Sequence, residues 1–493
     1  MQLVLAFLPL ALADLPVHCL RHQLTGRWNF FLGPASPQRS SCGHQQPDDP
    51  WRQPLVELAG AAPERREVEL QEPNVAVSGS SKGSWTMIYD EAFEVKLGGL
   101  SFLAFSKFEL LQAEGVSKNV SRCGQTQLGW YRDEKGENWG CFYARKLGED
   151  AAVATPNRAR SGADDGSQAA REPLDATYHS AFAATLNLIQ DFWQAKAYDR
   201  FVNLTLRELN AMAGIFRPAR PRQAEVGRAG SAPVSFLQSR RTRSRALPES
   251  WDWRNVSGVS FLDPVIDQGS CGSCYMVATT HMLAARYRIK HRSPDFPGFS
   301  FSFPLFCSEY NQGCDGGYAF LAARWASDVG LVPKDCGDTA SDATGGSCAL
   351  HCDLQKLQRS WKAANHHYVG GYYGASSEEQ MLRELVEDGP LVVSFEPQSD
   401  LMYYSGGVYS SSPHGRSDWE PVDHAVLLVG YGLERGRKYW LLQNSWGTDW
   451  GEEGFIRMAR GVDESGVESI AEAADVLEEP RPSATLLQLA ASL

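Results

Sequence analysis

The sequence predicts an α+β protein with an all-β N-terminal domain and a second domain of mixed helices and strands. A chain of 493 residues is too long for one hydrophobic core, so two or more globular domains are expected. Beyond Leu247 the sequence becomes dense in Trp, Gly and Cys, and helix and strand patterns alternate. No cysteine occurs between residue 141 and Cys271, which indicates two separately cross-linked domains. The first third of the chain contains Cys19, Cys42, Cys123 and Cys141.

Composition and charge favour an ordinary globular protein and argue against some classes of function. Hydrophobic residues make up 43% of the chain and charged residues 22%, as in ordinary globular proteins. The net charge of -12 argues against nucleic-acid binding, because phosphate recognition depends on a positive surface. After the N-terminus, no stretch approaches the roughly 18 continuous apolar residues that span a bilayer. We therefore expect no membrane span in the mature protein.

The N-terminus resembles a secretory signal. Residues 1–13 form an apolar run that closes in Ala11-Leu12-Ala13, an A-x-A cleavage site, although the usual positive residue is missing. An ordinary N-terminal apolar strand is the alternative. Three N-x-S/T sequons, at Asn119, Asn203 and Asn255, are predicted glycosylation sites and fit passage through the secretory pathway.

Short β-rich runs fill the first domain. Residues 85–89 and 93–97 are rich in aromatic and β-branched side chains and are separated by turn residues, as in antiparallel sheet. Both a sandwich and a barrel fit this pattern.

Two segments between the domains differ from both. Residues 149–176 contain few large apolar side chains and read as an exposed linker, after which Phe182, Leu186, Ile189 and Trp193 recur at helical spacing. Residues 217–245 are basic and rich in Pro and Ser. Because the rest of the chain is acidic, we favour a protease-sensitive connection there over a nucleic-acid or membrane patch.

A cysteine at the predicted start of a helix is the candidate nucleophile. Residues 268–275 read Gln-Gly-Ser-Cys-Gly-Ser-Cys-Tyr, and the apolar residues that follow are spaced as a buried helix. Cys274 would then lie at the helix N-terminus, where the macrodipole and exposed backbone N–H groups favour the thiolate. The alternative is an inert, buried cysteine with a structural role only.

A histidine and an asparagine complete the candidate catalytic set. His424 opens an apolar strand that ends in glycines, and a second strand at residues 438–442 leads to Asn444. The Asn444 side chain could accept the imidazole N–H and fix the tautomer of the ring.

These motifs resemble those of the papain family of cysteine proteases. The family signature is C-G-[SA]-C-[WY], with the histidine about 130 to 150 residues downstream, and His424 lies 150 positions after Cys274. The resemblance implies a two-lobe catalytic domain, one lobe helical and the other a β-barrel. It also implies that Gln268 supplies an oxyanion donor, that Gly316 and Gly317 line the substrate cleft, and that Trp446 shields the Asn–His hydrogen bond.

More of the chain resembles the dipeptidyl-peptidase members of that family. Residues 251–256, 367–374 and 468–471 all read like those enzymes. The resemblance implies a signal peptide at 1–13, a β-barrel exclusion domain at 14–148, a propeptide at 149–246 with an inhibitory helix at 182–193, and a peptidase domain at 247–493. A heavy chain at about 247–416 and a light chain at about 417–493, a homotetramer, activating proteases and lysosomal delivery are implied as well.

Substrate binding and disulfide pairing follow from the same resemblance. Cleavage after Ala13 would make Asp14 the first residue, and its carboxylate would bind the free α-ammonium group of peptide and protein substrates; for any other protein, Asp14 would be an exposed chain end. The implied pairs use ten of the eleven cysteines and leave Cys274 outside the disulfides. They are Cys19 with Cys123, Cys42 with Cys141, Cys271 with Cys314, Cys307 with Cys348, and Cys336 with Cys352.

The sequence departs from the family in two places. A tyrosine of the family's chloride site should follow Cys336, but residues 337–341 read Gly-Asp-Thr-Ala-Ser, so only Tyr275 remains of the expected chloride contributors. No metal or other cofactor is expected for the chemistry. Residues 479–493 extend beyond the resemblance as an added tail.

Two other functions compete with the dipeptidyl-peptidase prediction. An endopeptidase of the same fold is expected if Asp14 is not the mature terminus. A catalytically silent homologue that acts as a binding protein is the second alternative, and the intact Cys274, His424, Asn444 and Gln268 argue against it.

Overall fold

The structure is a computed structural model. It describes residues 17–45, 47, 63–113, 116–148, 173–205, 208–209, 212, 215–216, 246–338, 346–411 and 422–493. No helix within these ranges is long and apolar enough to cross a membrane.

The N-terminal domain is a closed β-barrel. Strands β1 to β6 pair antiparallel in chain order, and β6 then pairs with β8, β8 with β9, and β9 with β1. Strand β7 pairs with the far half of β6. This closure decides between the sandwich and the barrel that the sequence left open. The elements are α1 (Arg21–Leu24), β1 (Gly26–Leu32), β2 (Glu64–Gln71), β3 (Val75–Ser78), β4 (Ser81–Ile88), β5 (Ala92–Leu97), β6 (Leu100–Ala113), β7 (Val116–Thr126), β8 (Gly129–Asp133) and β9 (Trp139–Lys146).

Aromatic side chains fill the barrel. Trp28 and Phe30 alternate along β1 and are both fully buried, as the two-residue period of a strand requires. The Phe30 ring lies 5.2 Å from the rings of both Phe102 and Phe142. Large aromatic rings bury much apolar area each, so this contact set is the core of the domain.

The segment between the domains lies on the C-terminal domain. It contains α2 (Ala176–Ile189), β10 (Trp193–Ala195) and β11 (Ile215–Phe216), and β10 pairs with β15 (Tyr404–Tyr409) of the C-terminal domain. The predicted helical stripe is wrong at its end, because α2 stops at Ile189, which is about half exposed, and Trp193 is in a strand. The chain leaves the helix at Gln190, whose side chain accepts hydrogen bonds from the backbone N–H groups of Phe192 and Trp193.

The C-terminal domain has a helical lobe and a β lobe, as expected. Residues 274–288 of α3 are all buried, and this helix packs against β14, β16 and β19. A helix buried on all sides belongs inside a domain. The elements are β12 (Trp251–Asp252), α3 (Cys274–His291), α4 (Ser302–Cys307), α5 (Ala319–Asp328), α6 (Lys334–Gly337), β13 (Ser360–Tyr368), α7 (Glu378–Glu387), β14 (Leu391–Phe395), β15 (Tyr404–Tyr409), β16 (Val422–Glu434), β17 (Arg437–Gln443), β18 (Phe455–Ala459), β19 (Ala471–Glu479) and α8 (Ala484–Ala490).

A buried ionic cluster joins the barrel to the C-terminal domain. Arg324 of α5 is fully buried and forms an ion pair with Glu94 of the barrel. Asp328, one helical turn later, accepts from Arg132 of the barrel at 2.6 Å and from Arg324 at 2.8 Å. Burial alone would raise the pKa of Asp328, but the neighbouring guanidinium groups lower it to about 2. Charges buried without partners are strongly unfavourable, so the cluster favours one relative placement of the two domains.

One buried carboxyl lies outside this cluster. Glu472 of β19 is only 3% exposed and lies opposite Tyr368 of β13 and Val392 of β14. Within the described part of the chain, neither its carboxyl oxygens nor the Tyr368 hydroxyl has a partner at good hydrogen-bond geometry. Burial raises the pKa of Glu472 from 4.5 to about 8, because it outweighs the opposing effect of a weak contact with the Phe320 backbone N–H. Glu472 is therefore neutral in the fold at neutral pH.

Glu472 is expected to make the protein more stable in acid. An acid whose pKa is raised by folding stabilises the fold fully below its unfolded pKa, and this contribution is lost as pH rises through the folded pKa. Between pH 4.5 and pH 7 the loss is about 3 kcal/mol, at about 1.4 kcal/mol per pH unit. Urea unfolding at several pH values gives the free energy of unfolding as a function of pH. Glu472→Gln should remove this part of the pH dependence, whereas Glu387→Gln, at an exposed position of α7, should not. An equal pH dependence of the free energy of unfolding in the Glu472→Gln variant and the unmodified protein would contradict the assignment.

Candidate active site

Cys274 is the first residue of α3. Its neighbour Ser273 occupies the N-cap position without a side-chain capping hydrogen bond, and the first turn contains no acidic side chain. The preceding loop is held by the Cys271–Cys314 disulfide and by a hydrogen bond of 2.8 Å from the Gly272 N–H to the Cys314 carbonyl. The thiol is therefore placed at the positive end of a helix dipole, as the sequence predicts.

His424 and Asn444 form a hydrogen-bonded pair. The His424 Nε2 lies 2.8 Å from the Asn444 Oδ1, and the same oxygen accepts from the backbone N–H of Ser445 at 2.8 Å. Because an amide oxygen only accepts, Nε2 carries the hydrogen and Nδ1 remains for proton exchange. The Trp446 ring stacks on the imidazole at 4.9 Å and 27°, and both rings are fully buried.

The structure brings these groups together at one place. Cys274, Ala425, Asn444 and Ser445 line one small cavity, and Ala425 directly follows His424. The helix N-terminus thus meets the start of β16 and the end of β17 across the two lobes. A thiol with an imidazole oriented by an amide is the arrangement used for nucleophilic acyl transfer.

Gln268 is fixed in the loop that leads to Cys274. Its side chain is buried, and its Oε1 accepts from the Ser445 hydroxyl. Its Nε2 donates to the Cys271 carbonyl at 2.8 Å and to the Met212 carbonyl at 3.0 Å. Since the Oε1 bond fixes which end of the amide donates, Ser445 is a positioning residue that sequence reasoning missed, although it directly follows Asn444.

Met212 belongs to the segment between the domains. Its carbonyl oxygen accepts from Gln268 and also from the Trp446 Nε1 at 3.1 Å. Farther back along the segment, Arg200 bonds to the Trp446 carbonyl and donates to Asp267 at 2.8 Å. A backbone carbonyl of this segment is therefore bound to two donors beside the candidate nucleophile.

Comparison with known proteins matches each of the two domains to a family. The model of the cathepsin C exclusion domain matches residues 14–146, and the model of papain family cysteine proteases matches residues 247–474. Cathepsin C from Schistosoma mansoni is 30% identical over 481 residues, which cover 95% of this chain and 96% of that protein. The chain belongs to the cathepsin C group of papain-family cysteine proteases.

Other relatives match a smaller part of this papain-family protein. A cathepsin L-like proteinase from Fasciola hepatica is 36% identical over 221 residues, which cover 44% of this chain and 62% of that protein. A solved structure of digestive procathepsin L2 from the larval midgut of Tenebrio molitor gives a TM-score of 0.49 at 24% identity, over 61% of this chain and 89% of that one.

One of the two expected cleft glycines, Gly317, lies beside Tyr275. A Cβ at Gly317 would lie 2.6 Å from the Tyr275 ring, so a larger residue does not fit there. Gly316 has a φ of 124°, which side chains rarely tolerate. The Tyr275 hydroxyl donates to the Gly313 carbonyl at 3.2 Å, and burial raises the pKa of Tyr275 well above its ordinary value.

The remaining predicted residues fall into three groups. Asn203 and Asn255 are exposed, as glycosylation requires. Asp14, the side chain of Asn119 and both expected cleavage regions, 217–245 and 412–421, lie outside the described residues. All five expected disulfides are present, and none contains Cys274: Cys19–Cys123, Cys42–Cys141, Cys271–Cys314, Cys307–Cys348 and Cys336–Cys352.

Proposed function

We propose that this cysteine protease removes dipeptides from the free N-termini of peptides and proteins. Cys274 is the nucleophile, His424 the acid and base, Asn444 the residue that orients His424, and Gln268 an oxyanion donor. The observation that carries the dipeptidyl specificity is the contact of the barrel with one end of the catalytic cleft.

That contact lies one strand away from His424. Ser394 of β14 pairs with Ala425, and its hydroxyl lies 3.0 Å from the hydroxyl of Tyr89 in the barrel. Tyr89 also stacks at 3.9 Å on Tyr318, which directly follows the cleft glycine Gly317. We expect a barrel in this position to exclude a long N-terminal extension of the substrate.

The start of the chain runs past the same place. The Cys19 N–H donates to the carbonyl of Asp90, the neighbour of Tyr89, at 2.8 Å, and Val17 is fully buried. Asp14 precedes Val17 by three positions, and three residue steps reach about 11 Å at most. This supports a role for the Asp14 carboxylate in binding the α-ammonium group of the substrate, two residues from the bond that is cut.

The reaction is acyl transfer in two steps. The Cys274 thiolate attacks the carbonyl carbon of the second residue, and the oxyanion is stabilised by Gln268 Nε2 and the Cys274 N–H. The C–N bond breaks as His424 Nδ1 protonates the leaving amine, which leaves a thioester. Water then gives its proton to His424 and attacks the thioester, and the dipeptide leaves as its carboxylic acid while the thiolate is restored.

The segment from residue 173 to residue 216 supports synthesis as a zymogen. The Met212 carbonyl accepts the hydrogen bond from Gln268 Nε2 that the oxyanion needs, so catalysis requires the removal of Met212 from this position. We propose that residues 149–246 are excised and that a second cut near residues 416–418 separates the heavy and light chains. Tetramer assembly, glycosylation at the three sequons and delivery through the secretory pathway to the lysosome belong to the same proposal.

A pair of substrates tests the specificity. The processed enzyme should cleave a fluorogenic dipeptidyl amide with a free N-terminus much faster than the N-acetylated analogue, because only the former offers an ammonium group to Asp14. N-terminal sequencing of the same sample should begin at Asp14. Equal turnover of both substrates would instead support a papain-type endopeptidase.

A further inference from the structure

The last part of the chain contains a seven-residue helix that rests on both domains. The papain-family match ends at residue 474, but β19 continues to Glu479 and α8 follows at Ala484–Ala490. Ser483 starts this helix, since its hydroxyl accepts from the Leu486 N–H at 3.0 Å. The same hydroxyl donates to the Val329 carbonyl at 2.7 Å, so it also ties the helix to the end of α5.

Apolar packing holds α8 in this position. Leu486 is 1% exposed and belongs to the apolar cluster that runs through both the barrel and α5. It lies over Gly330, where a Cβ would already be 3.5 Å from the Leu486 Cδ2. The Ser360 hydroxyl donates to the Arg481 carbonyl and holds the chain before the helix. The tail is therefore a packed part of the domain junction.

The other side of α8 contacts the barrel directly. Gln488 Nε2 donates to the Arg39 carbonyl at 3.0 Å. The Arg39 guanidinium forms an ion pair with Glu309 of the peptidase domain and lies 5.3 Å from the Tyr310 ring. Barrel, peptidase domain and tail thus meet around this one arginine.

We propose that α8 is a clasp that holds the barrel on the peptidase domain after the connecting segment has been excised. This inference rests on the proposed function, because the barrel is covalently tethered until residues 149–246 are removed. A tether keeps two bodies at high effective concentration, and once it is cut only the contacts between them remain. The clasp belongs to the light-chain end of the peptidase, so it is retained after both cuts.

The consequence concerns substrate choice. A processed enzyme that loses its barrel also loses the block at the end of its cleft, and it should accept N-terminally blocked or longer substrates. Gln488 and Leu486 are therefore positioning residues for dipeptide cleavage, although neither touches the substrate.

The experiment compares the full chain with a chain that ends at Pro480. Both are processed and then diluted, and gel filtration and turnover of the free and N-acetylated substrates are recorded. We expect the truncated enzyme to hold its barrel about tenfold more weakly or worse, and to gain activity on the acetylated substrate as it is diluted. A truncated enzyme whose barrel co-elutes, with the same ratio of activities at every dilution, would overturn the clasp.

Point variants control for the case in which the truncated chain misfolds. Leu486→Ala and Gln488→Ala should move elution and the activity ratio in the same direction, whereas Leu487→Ala, on the exposed side of α8, should leave both unchanged. Equal effects of all three variants would also overturn the clasp. If the unmodified processed enzyme already cleaves the acetylated substrate as fast as the free one, the proposed specificity fails, and co-elution of the barrel still decides the clasp.

Discussion

Replacing Cys274 with alanine is expected to abolish hydrolysis of the dipeptidyl substrate. The thiolate forms the acyl-enzyme, and the other ten cysteines are all paired in disulfides, so no second thiol can replace it. Removing the nucleophile of a serine protease costs about a millionfold in kcat, and a comparable loss is expected here. Turnover of the fluorogenic substrate by the processed variant gives the measurement.

The control for this variant is its fold. Because none of the five disulfides contains Cys274, the alanine variant should form the same pairs and unfold at a similar temperature. Burial of the Tyr275 ring beside it should also persist. Undiminished turnover in the variant would remove Cys274 as the nucleophile, and no turnover in the unmodified processed protein would favour a binding protein without activity.

Local motifs predicted the centre of this site well. Cys274, His424 and Asn444 lie next to turns and strand ends whose sequence is itself distinctive, so their elements could be assigned one at a time. Pairing of the cysteines came only through the family resemblance, since spacing alone allows many pairings. Closure of the barrel depends on the pairing of β1 with β9, a contact over more than a hundred residues that no local pattern reveals.

What the sequence did not predict consists of contacts between distant segments. The Met212 carbonyl carries no side-chain signal, and its role follows only from the path of the chain beside Gln268. Trp193 fits a helical stripe, but Gln190 ends α2 before it, and strand pairing with Gly407 then determines its place. The tail looked like an appendage because its single buried leucine, Leu486, has its partners more than a hundred residues away.

Gln268→Ala is expected to lower kcat by about a hundred- to a thousandfold, as the loss of one oxyanion donor typically does. The Nε2 donor acts on charge that develops in the transition state, so KM should change little. Steady-state turnover of the free dipeptidyl substrate, measured over a range of substrate concentrations, separates kcat from KM. An unchanged kcat would contradict the oxyanion role.

A second variant distinguishes donation from mere packing. Ser445→Ala leaves the Gln268 amide in place but removes the hydrogen bond to its Oε1, so kcat should fall by less than in Gln268→Ala. The same donor binds the Met212 carbonyl in the unprocessed chain, and Gln268→Ala should therefore also weaken the hold of the segment on the cleft. Faster proteolytic excision of that segment in the Gln268→Ala variant, together with a lower kcat after excision, is the joint result expected if one amide serves both the resting and the active protein. Slower excision would separate the two roles, because the Met212 contact would then not restrain the segment.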